Sequence, residues 1–272
     1  MLTGFGRLIL GSNRVEERLS LVGQIALVCG ATGRLGSEIA LALARSGATT
    51  VVHFRQNHRV AREIVEGIHS VGGQAIAIQA DLTIEKSSDQ IIRDIYDRFG
   101  KIDILVNAVH GQFDPKDIVE MKWEDWEIHL AALKSHFLLC RAAVPLMRAQ
   151  KYGRIIYISG GLARRYFKGC SAYTTIKAGL NGFCKTLALE EGAHGITVNI
   201  VAPGKVVPMD GRESTDHPQA WEDLNQASIA ATPLGRYAST RDVSTAVLFF
   251  ASPEASGMTG QTLYVAVGEI MP

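Results

Sequence analysis

Ile25-Ala26-Leu27-Val28-Cys29-Gly30-Ala31-Thr32-Gly33-Arg34-Leu35-Gly36-Ser37 is the stretch that decides the fold. A short apolar run ends in three glycines spaced three apart, and a helical segment, Ser37 to Ser46, follows. Glycines in such a turn let the backbone approach a pyrophosphate, which rests on the free N–H groups and the positive end of the next helix. The spacing alone is a weak signal, because 27 glycines in 272 residues produce accidental matches. Its place between a strand and a helix gives it weight.

Outward from this turn, short apolar runs alternate with amphipathic segments, the pattern of βαβ units and a parallel sheet. Strands are expected at Ile25 to Cys29, Thr49 to Phe54, Gln74 to Gln79, Ile102 to Ala108, Arg154 to Ser159, Ile196 to Val201 and Gln261 to Val265. Their near-continuous apolar character predicts strands covered on both faces. Val60, Ile64, Ile68 and Val71 form one helix stripe, and Ile91, Ile95 and Phe99 another. Gly47 and Gly100 stand where a left-handed C-terminal cap wants no side chain. Later helices are expected over Trp123 to Gln150, Ser171 to Glu191 and Thr240 to Ala251. The fold class is therefore α/β, a three-layer doubly wound parallel sheet of about seven strands. Residues 1–20 read as an extension and 21–272 as one domain. The polar segment 205–236, with Pro208, Pro218 and Pro233, is long for a connection and reads as a lid over a substrate.

Composition narrows the function. Lys and Arg number 28 against 27 Asp and Glu, a net charge of +1 with the basic residues dispersed, so nucleic acid is not an expected partner. No run approaches 18 apolar residues, and Arg7, Arg14 and Arg18 flank only a short apolar patch, so neither membrane residence nor export is expected. Cys29, Cys140, Cys170 and Cys184 lack metal-type spacing. The expectation is a reduced, cytoplasmic protein without a metal.

An NAD site would place Asp or Glu at the end of the second strand. This chain has His53-Phe54-Arg55 there, and Arg55, helped by Arg34, suits a 2′-phosphate instead. NADP(H) is the expected cofactor. Asp81 either accepts from the adenine amino group or caps the helix that follows.

These residues, taken with Tyr173-Thr174-Thr175-Ile176-Lys177, resemble the short-chain dehydrogenase/reductase family, a Rossmann-type fold, over about Leu21 to Gly268. Further matches are Asp81-Leu82-Thr83, Asp103-Ile104-Leu105-Val106-Asn107, Val198-Asn199, Pro203-Gly204 and Pro233-Leu234-Gly235-Arg236. At helical spacing Lys177 lies beside Tyr173, where an ammonium would lower a phenol from its usual value of about 10. The resemblance implies that Tyr173 protonates the substrate oxygen and that Lys177 also contacts the cofactor ribose. It implies a cofactor site made of Gly30, Thr32, Gly33, Arg34, Leu35 and Gly36 in the turn, with Arg55 after the second strand. Asp81 and Leu82 then follow the third strand and Asn107 and Ala108 the fourth, while Pro203, Gly204 and Val206 close the site after the sixth. It also implies a homodimer or homotetramer through the helices at 123 to 150 and 171 to 191.

The departures bear on the chemistry. The family serine position is Gly160, and its neighbour Ser159 substitutes only if the strand end is bent. The family asparagine position is Ala132, and Asn107-Ala108-Val109-His110 replaces the usual Asn-Asn-Ala-Gly. His110 either reshapes the nicotinamide region or faces solvent. Cys29 replaces a threonine, Pro208 replaces the threonine after Pro-Gly, and Ala266-Val267 stands for Asp-Gly. Arg164, Arg165 and Lys168 either receive an anionic substrate group or are simply solvated, and Phe167 and Trp221 line an apolar pocket or belong to a subunit contact or the core. The expected function is an NADP(H)-dependent reductase of a carbonyl or C=N group on a small molecule. The alternatives are a redox-neutral cyclase, dehydratase or epimerase, and a non-catalytic NADP(H)-binding protein.

Overall fold

The computed structural model describes residues 19–111, 114–163, 166–207, 229–230 and 232–271. Chain order runs β1 (Ile25–Cys29), α1 (Arg34–Arg45), β2 (Thr49–Phe54), α2 (His58–Ser70), β3 (Gln74–Gln79), α3 (Glu85–Phe99), β4 (Ile104–Asn107) and α4 (Trp123–Gln150). It continues with β5 (Gly153–Ile158), α5 (Ser171–Glu191), β6 (Ile196–Pro203), β7 (Val206–Val207), β8 (Ala238–Ser239), α6 (Thr240–Ala251) and β9 (Thr262–Val265). Seven parallel strands form one sheet in the order β3-β2-β1-β4-β5-β6-β9. The order reverses between β1 and β4, and in doubly wound sheets ligands bind outside the strand ends at that switch point.

Strand alternation sends β1 side chains into two cores. Ala26 and Val28 pack with Ile39 and Leu43 of α1, Ile68 of α2 and Phe250 of α6. Leu27 and Cys29 pack on the other face with Ile95 of α3, Met147 of α4 and Leu180 of α5. Each fully buried Leu or Ile contributes roughly 1.5–3 kcal/mol, so these two layers dominate over the mostly exposed ion pairs. α4 is long and apolar enough to cross a membrane, but half of its apolar window is buried inside the protein, as in a core helix.

Polar motif residues fasten strand to strand. Asp103 Oδ2 accepts the Ile25 N–H (2.8 Å), tying β1 to the entry of β4. Asn199 donates to the Met258 carbonyl and accepts the Gln261 N–H, tying β6 to β9. Arg236 pairs with Asp242 (2.6 Å), which completes a capping box with Ser239 at the start of α6.

Some expectations change. β3 is an edge strand with Gln74, Ala77 and Gln79 exposed, so it is covered only in part. Helix α1 begins at Arg34 because Gly33 is already extended and its carbonyl accepts the Ser37 N–H. The short pair of β7 with β8 has no sequence signal. Gly100 adopts the expected left-handed cap, whereas Val267 has a φ of 49°, costly for a β-branched residue where the family pattern has glycine. Pro208, Pro218, most of the proposed lid and most of the N-terminal extension lie outside the described residues.

Candidate active site

The turn after β1 is closed by backbone proximity. Gly30 has a φ of 74°, and a Cβ there would meet the Ala108 carbonyl group and the Val109 nitrogen at 3.2 Å. A Cβ on Gly36 would run into the Gly30 carbonyl oxygen and stand 2.8 Å from the Ala31 Cα. The start of α1 carries neither a side-chain cap nor an acidic residue in its first turn, which leaves its N–H groups for an anion. A cleft of about 250 Å³ opens here, lined among others by Gly30, Thr32, Gly33, Arg55, Asp81 and Leu82. A cradle that side chains would fill, at the switch point of the sheet, fits a dinucleotide.

His53 braces this cradle. Its Nε2–H donates to the Ala80 carbonyl (3.0 Å), which leaves Nδ1 to accept the Gly30 N–H (3.1 Å). One ring therefore joins the turn, β2 and the exit of β3, and burial lowers its pKa so that it stays neutral. Arg55 is exposed at the cleft edge, whereas Arg34 Nη1 donates to the Val206 carbonyl (3.1 Å). Arg34 thus binds the chain leaving β6 and not, in this arrangement, a phosphate beside Arg55. Asp81 accepts the Thr83 N–H and hydroxyl through Oδ1, and the Thr83 hydroxyl bond is the largest cause of its lowered pKa. It does not cap α3, whose N-cap is Ile84. Asn107 Oδ1 accepts the Val109 N–H, and Ala108 donates its N–H to the Cys29 carbonyl. His110 is exposed on the cleft wall, with Nδ1 bonded to the Gly111 carbonyl (2.8 Å). Gly204 donates to the Val265 carbonyl, which holds the Pro203-Gly204 turn against β9.

On the face of the sheet opposite α1, α5 carries Tyr173 and Lys177 on one stripe. Lys177 is buried, and its Nζ donates to the Ile158 carbonyl (2.9 Å) and the Tyr157 hydroxyl (3.4 Å). Nζ lies 5.5 Å from the Tyr173 ring centroid. Burial lowers the lysine to about 8. Burial, with a smaller contribution from Cys170, raises Tyr173 to about 12. The expected lowering of the phenol is therefore reversed here, because desolvation of a tyrosinate outweighs an ammonium turned toward the β5 carbonyl. A phenol so held stays protonated and is a proton donor.

Gly160 faces this phenol directly. A Cβ built there would stand 2.8 Å from Tyr173 Oη and 3.7 Å from the nearest ring carbons. Ser159 points the other way, as alternation along an extended strand requires, and its hydroxyl donates to Asn181 Oδ1 (2.8 Å). The bend that would turn Ser159 toward Tyr173 is absent, so the expectation of a catalytic Ser159 is corrected. Ala132 is buried on α4, with His129 one turn before and His136 one turn after on the same stripe. His136 packs edge-on against Tyr157 (4.1 Å), and its buried Nε2 has no partner among the described residues. The His129 ring meets the Tyr173 ring edge-on at 5.7 Å. Both line a small pocket of about 100 Å³ with Asp114, Met121, Asp125 and Ile128. The sequence assigns no role to His53, His129 or His136; the spacing 129, 132, 136 on one stripe is the available signal for the last two. Lys168 and Phe167 are at the surface, whereas Arg164, Arg165 and Trp221 lie outside the described residues.

Comparison with known proteins agrees with this geometry. Residues 30–269 match a family model described as enoyl-(acyl carrier protein) reductase. The chain is 38% identical over 255 residues to a 3-oxoacyl-[acyl-carrier-protein] reductase of Synechocystis, covering 93% of this chain and 99% of the relative. It is 33% identical over 252 residues to a hydroxynaphthalene reductase of Aspergillus fumigatus, covering 89% and 91%. A solved dehydrogenase/reductase from Sinorhizobium meliloti superposes with a TM-score of 0.82 at 31% identity, covering 93% of this chain and 97% of the other.

Proposed function

The chain belongs to the short-chain dehydrogenase/reductase family, and on that premise we propose that it reduces a ketone with NADPH, using Tyr173 as proton donor. It is an oxidoreductase of that type. The observation that carries the finer reading is the placement of Tyr173 one turn before buried Lys177 on α5, at the wall of the small pocket it shares with His129, where burial keeps the phenol protonated. NADPH, when bound, supplies the hydride. The chain does the rest. The N–H groups of α1 hold the pyrophosphate, and Arg55 takes the 2′-phosphate at a strand end whose other polar residue, His53, is already committed to the turn. Asp81 Oδ2 is the acceptor for the adenine amino group, Asn107 and Ala108 floor the cleft, and Pro203, Gly204 and Val206 wall it. Lys177 keeps its charge near neutral pH and stabilises the phenolate that Tyr173 becomes on giving up its proton.

The relatives named for a 3-oxoacyl thioester make that the first substrate class to test, in a cytoplasmic homodimer or homotetramer joined through α4 and α5, where Phe137 and Leu189 are exposed. NADPH oxidation with acetoacetyl-CoA and a panel of ketones, quinones and cyclic imines is the assay. Tyr173→Phe should lower kcat by on the order of 100- to 10,000-fold with NADPH affinity retained. Undiminished turnover in that variant would sink the mechanism. Gly160 favours one second reading, a redox-neutral reaction in which Tyr173 moves a proton without net hydride transfer. Product formed without a change in NADPH absorbance would select it.

A further inference from the structure

A carbonyl oxygen that gains negative charge needs more than one hydrogen-bond donor, and Tyr173 provides one. Gly160 has no hydroxyl to offer, and the Ser159 hydroxyl is turned to Asn181. We infer that His129 is the second donor: its imidazole N–H and the Tyr173 hydroxyl hold the same substrate oxygen from two walls of one pocket. The inference rests on the reductase reading above and names a residue that reading leaves out.

The geometry comes from α4. Asp125, Ile128 and His129 project into the pocket from successive turns, and the His129 ring stands nearly perpendicular to Tyr173, at 86° and 5.7 Å between centroids. Among the described residues no hydrogen bond engages either ring nitrogen of His129, although the residue is only 7% exposed. The carboxylate one turn before it does not claim the ring, because Asp125 Oδ1 pairs with Lys116 (2.7 Å) and Oδ2 accepts the Lys122 N–H (2.9 Å). His110 is a poorer candidate. It lines the cofactor cleft, is exposed, and has one nitrogen bonded to the Gly111 carbonyl.

Burial first, then the charges of Lys177 and His110, hold His129 below the usual histidine value, so the ring is neutral at pH 7. A neutral imidazole keeps its proton while donating a hydrogen bond, and it polarises a carbonyl without competing with the phenol as acid. The proton transferred is that of Tyr173 alone.

The test uses acetoacetyl-CoA with saturating NADPH and two variants. His129→Phe keeps the ring volume and removes the donor, whereas His129→Gln keeps an N–H. The expected result is a fall in kcat on the order of 100- to 1,000-fold for His129→Phe, with KM and NADPH affinity within about twofold of wild type. His129→Gln should recover at least roughly tenfold of that loss. In spectra of the protein labelled with 15N-histidine, a His129 ring resonance should move on adding 3-hydroxybutyryl-CoA to the NADP⁺ complex. Wild-type turnover by His129→Phe, equal impairment of both variants, or loss of NADPH binding in both would overturn the inference. A wild-type protein that reduces no ketone in the panel would overturn the reductase reading itself, and this inference with it.

Discussion

At the β1–α1 turn, polar groups are paired and space is used up: Gly30 donates to His53, His53 donates to Ala80, and Gly36 leaves no room for a methyl group. At the α4–β5–α5 site the polar pairing is looser. Gly160 withholds a side chain, Ala132 is small, and His136 Nε2 is buried without a partner among the described residues. The first region is fixed by backbone contacts that any cofactor of this shape would need. The second holds side chains that the sheet does not need for its own pairing, so its donors can be exchanged while the sheet stays as it is. A family likeness carried by the first region therefore says little about the chemistry performed in the second.

The largest effect should come from filling the tight region. Gly36→Val would force side-chain atoms into the Gly30 carbonyl and Ala31, and NADPH affinity, read by cofactor fluorescence, should fall by on the order of a hundredfold or more. Retained affinity would show that the turn is as forgiving as the far edge, and the contrast would fail. Next is Arg55→Ala, which should weaken NADPH by roughly tenfold to a hundredfold while leaving NADH unchanged, measured by equilibrium titration. An equal loss for both cofactors would remove the 2′-phosphate assignment. Gly160→Ala probes the second region: its methyl must push Tyr173 Oη away from 2.8 Å, and kcat should fall roughly tenfold with cofactor affinity intact.

The smallest effect concerns pH and the His53 brace. Its folded pKa lies below the unfolded value of about 6.5, so its contribution to stability is fully present above that value and is lost as pH falls below it toward the folded one. His129 and His136 are lowered by burial as well and act with the same sign. Melting temperature should hold steady from pH 8 to 7 and drop by a few degrees on acidification to about pH 5.5. His53→Asn, which keeps one donor and one acceptor, should flatten part of that drop. An unchanged slope would separate the brace from acid stability.

Much of the fold was readable from the chain because apolar runs such as Ile25–Cys29 and stripes such as Trp123–Gln150 begin and end at clear polar or glycine boundaries. β3 was misjudged because Ala77 is apolar yet exposed, which composition does not distinguish from burial. The Tyr173 and Lys177 positions follow from helical spacing. The direction of their pKa shifts does not, because it depends on how deeply each is buried and on Nζ turning to the Ile158 carbonyl. His53 and Ser159 show the same limit: which side of a strand end a polar group serves is decided by neighbours distant in sequence, Ala80 in one case and Asn181 in the other.

Gly160 also limits which changes the site can accept. The glycine codons GGT and GGC differ from the serine codons AGT and AGC by a single base, so from them a hydroxyl at this position is one mutation away. The space its Cβ would need is taken by the oxygen of Tyr173, 2.8 Å off. That mutation would arrive in a site already fitted to its absence, so selection would meet a penalty before any gain. The glycine is thereby entrenched, and a lineage carrying it would sooner elaborate the donors on α4 than acquire a hydroxyl at this position.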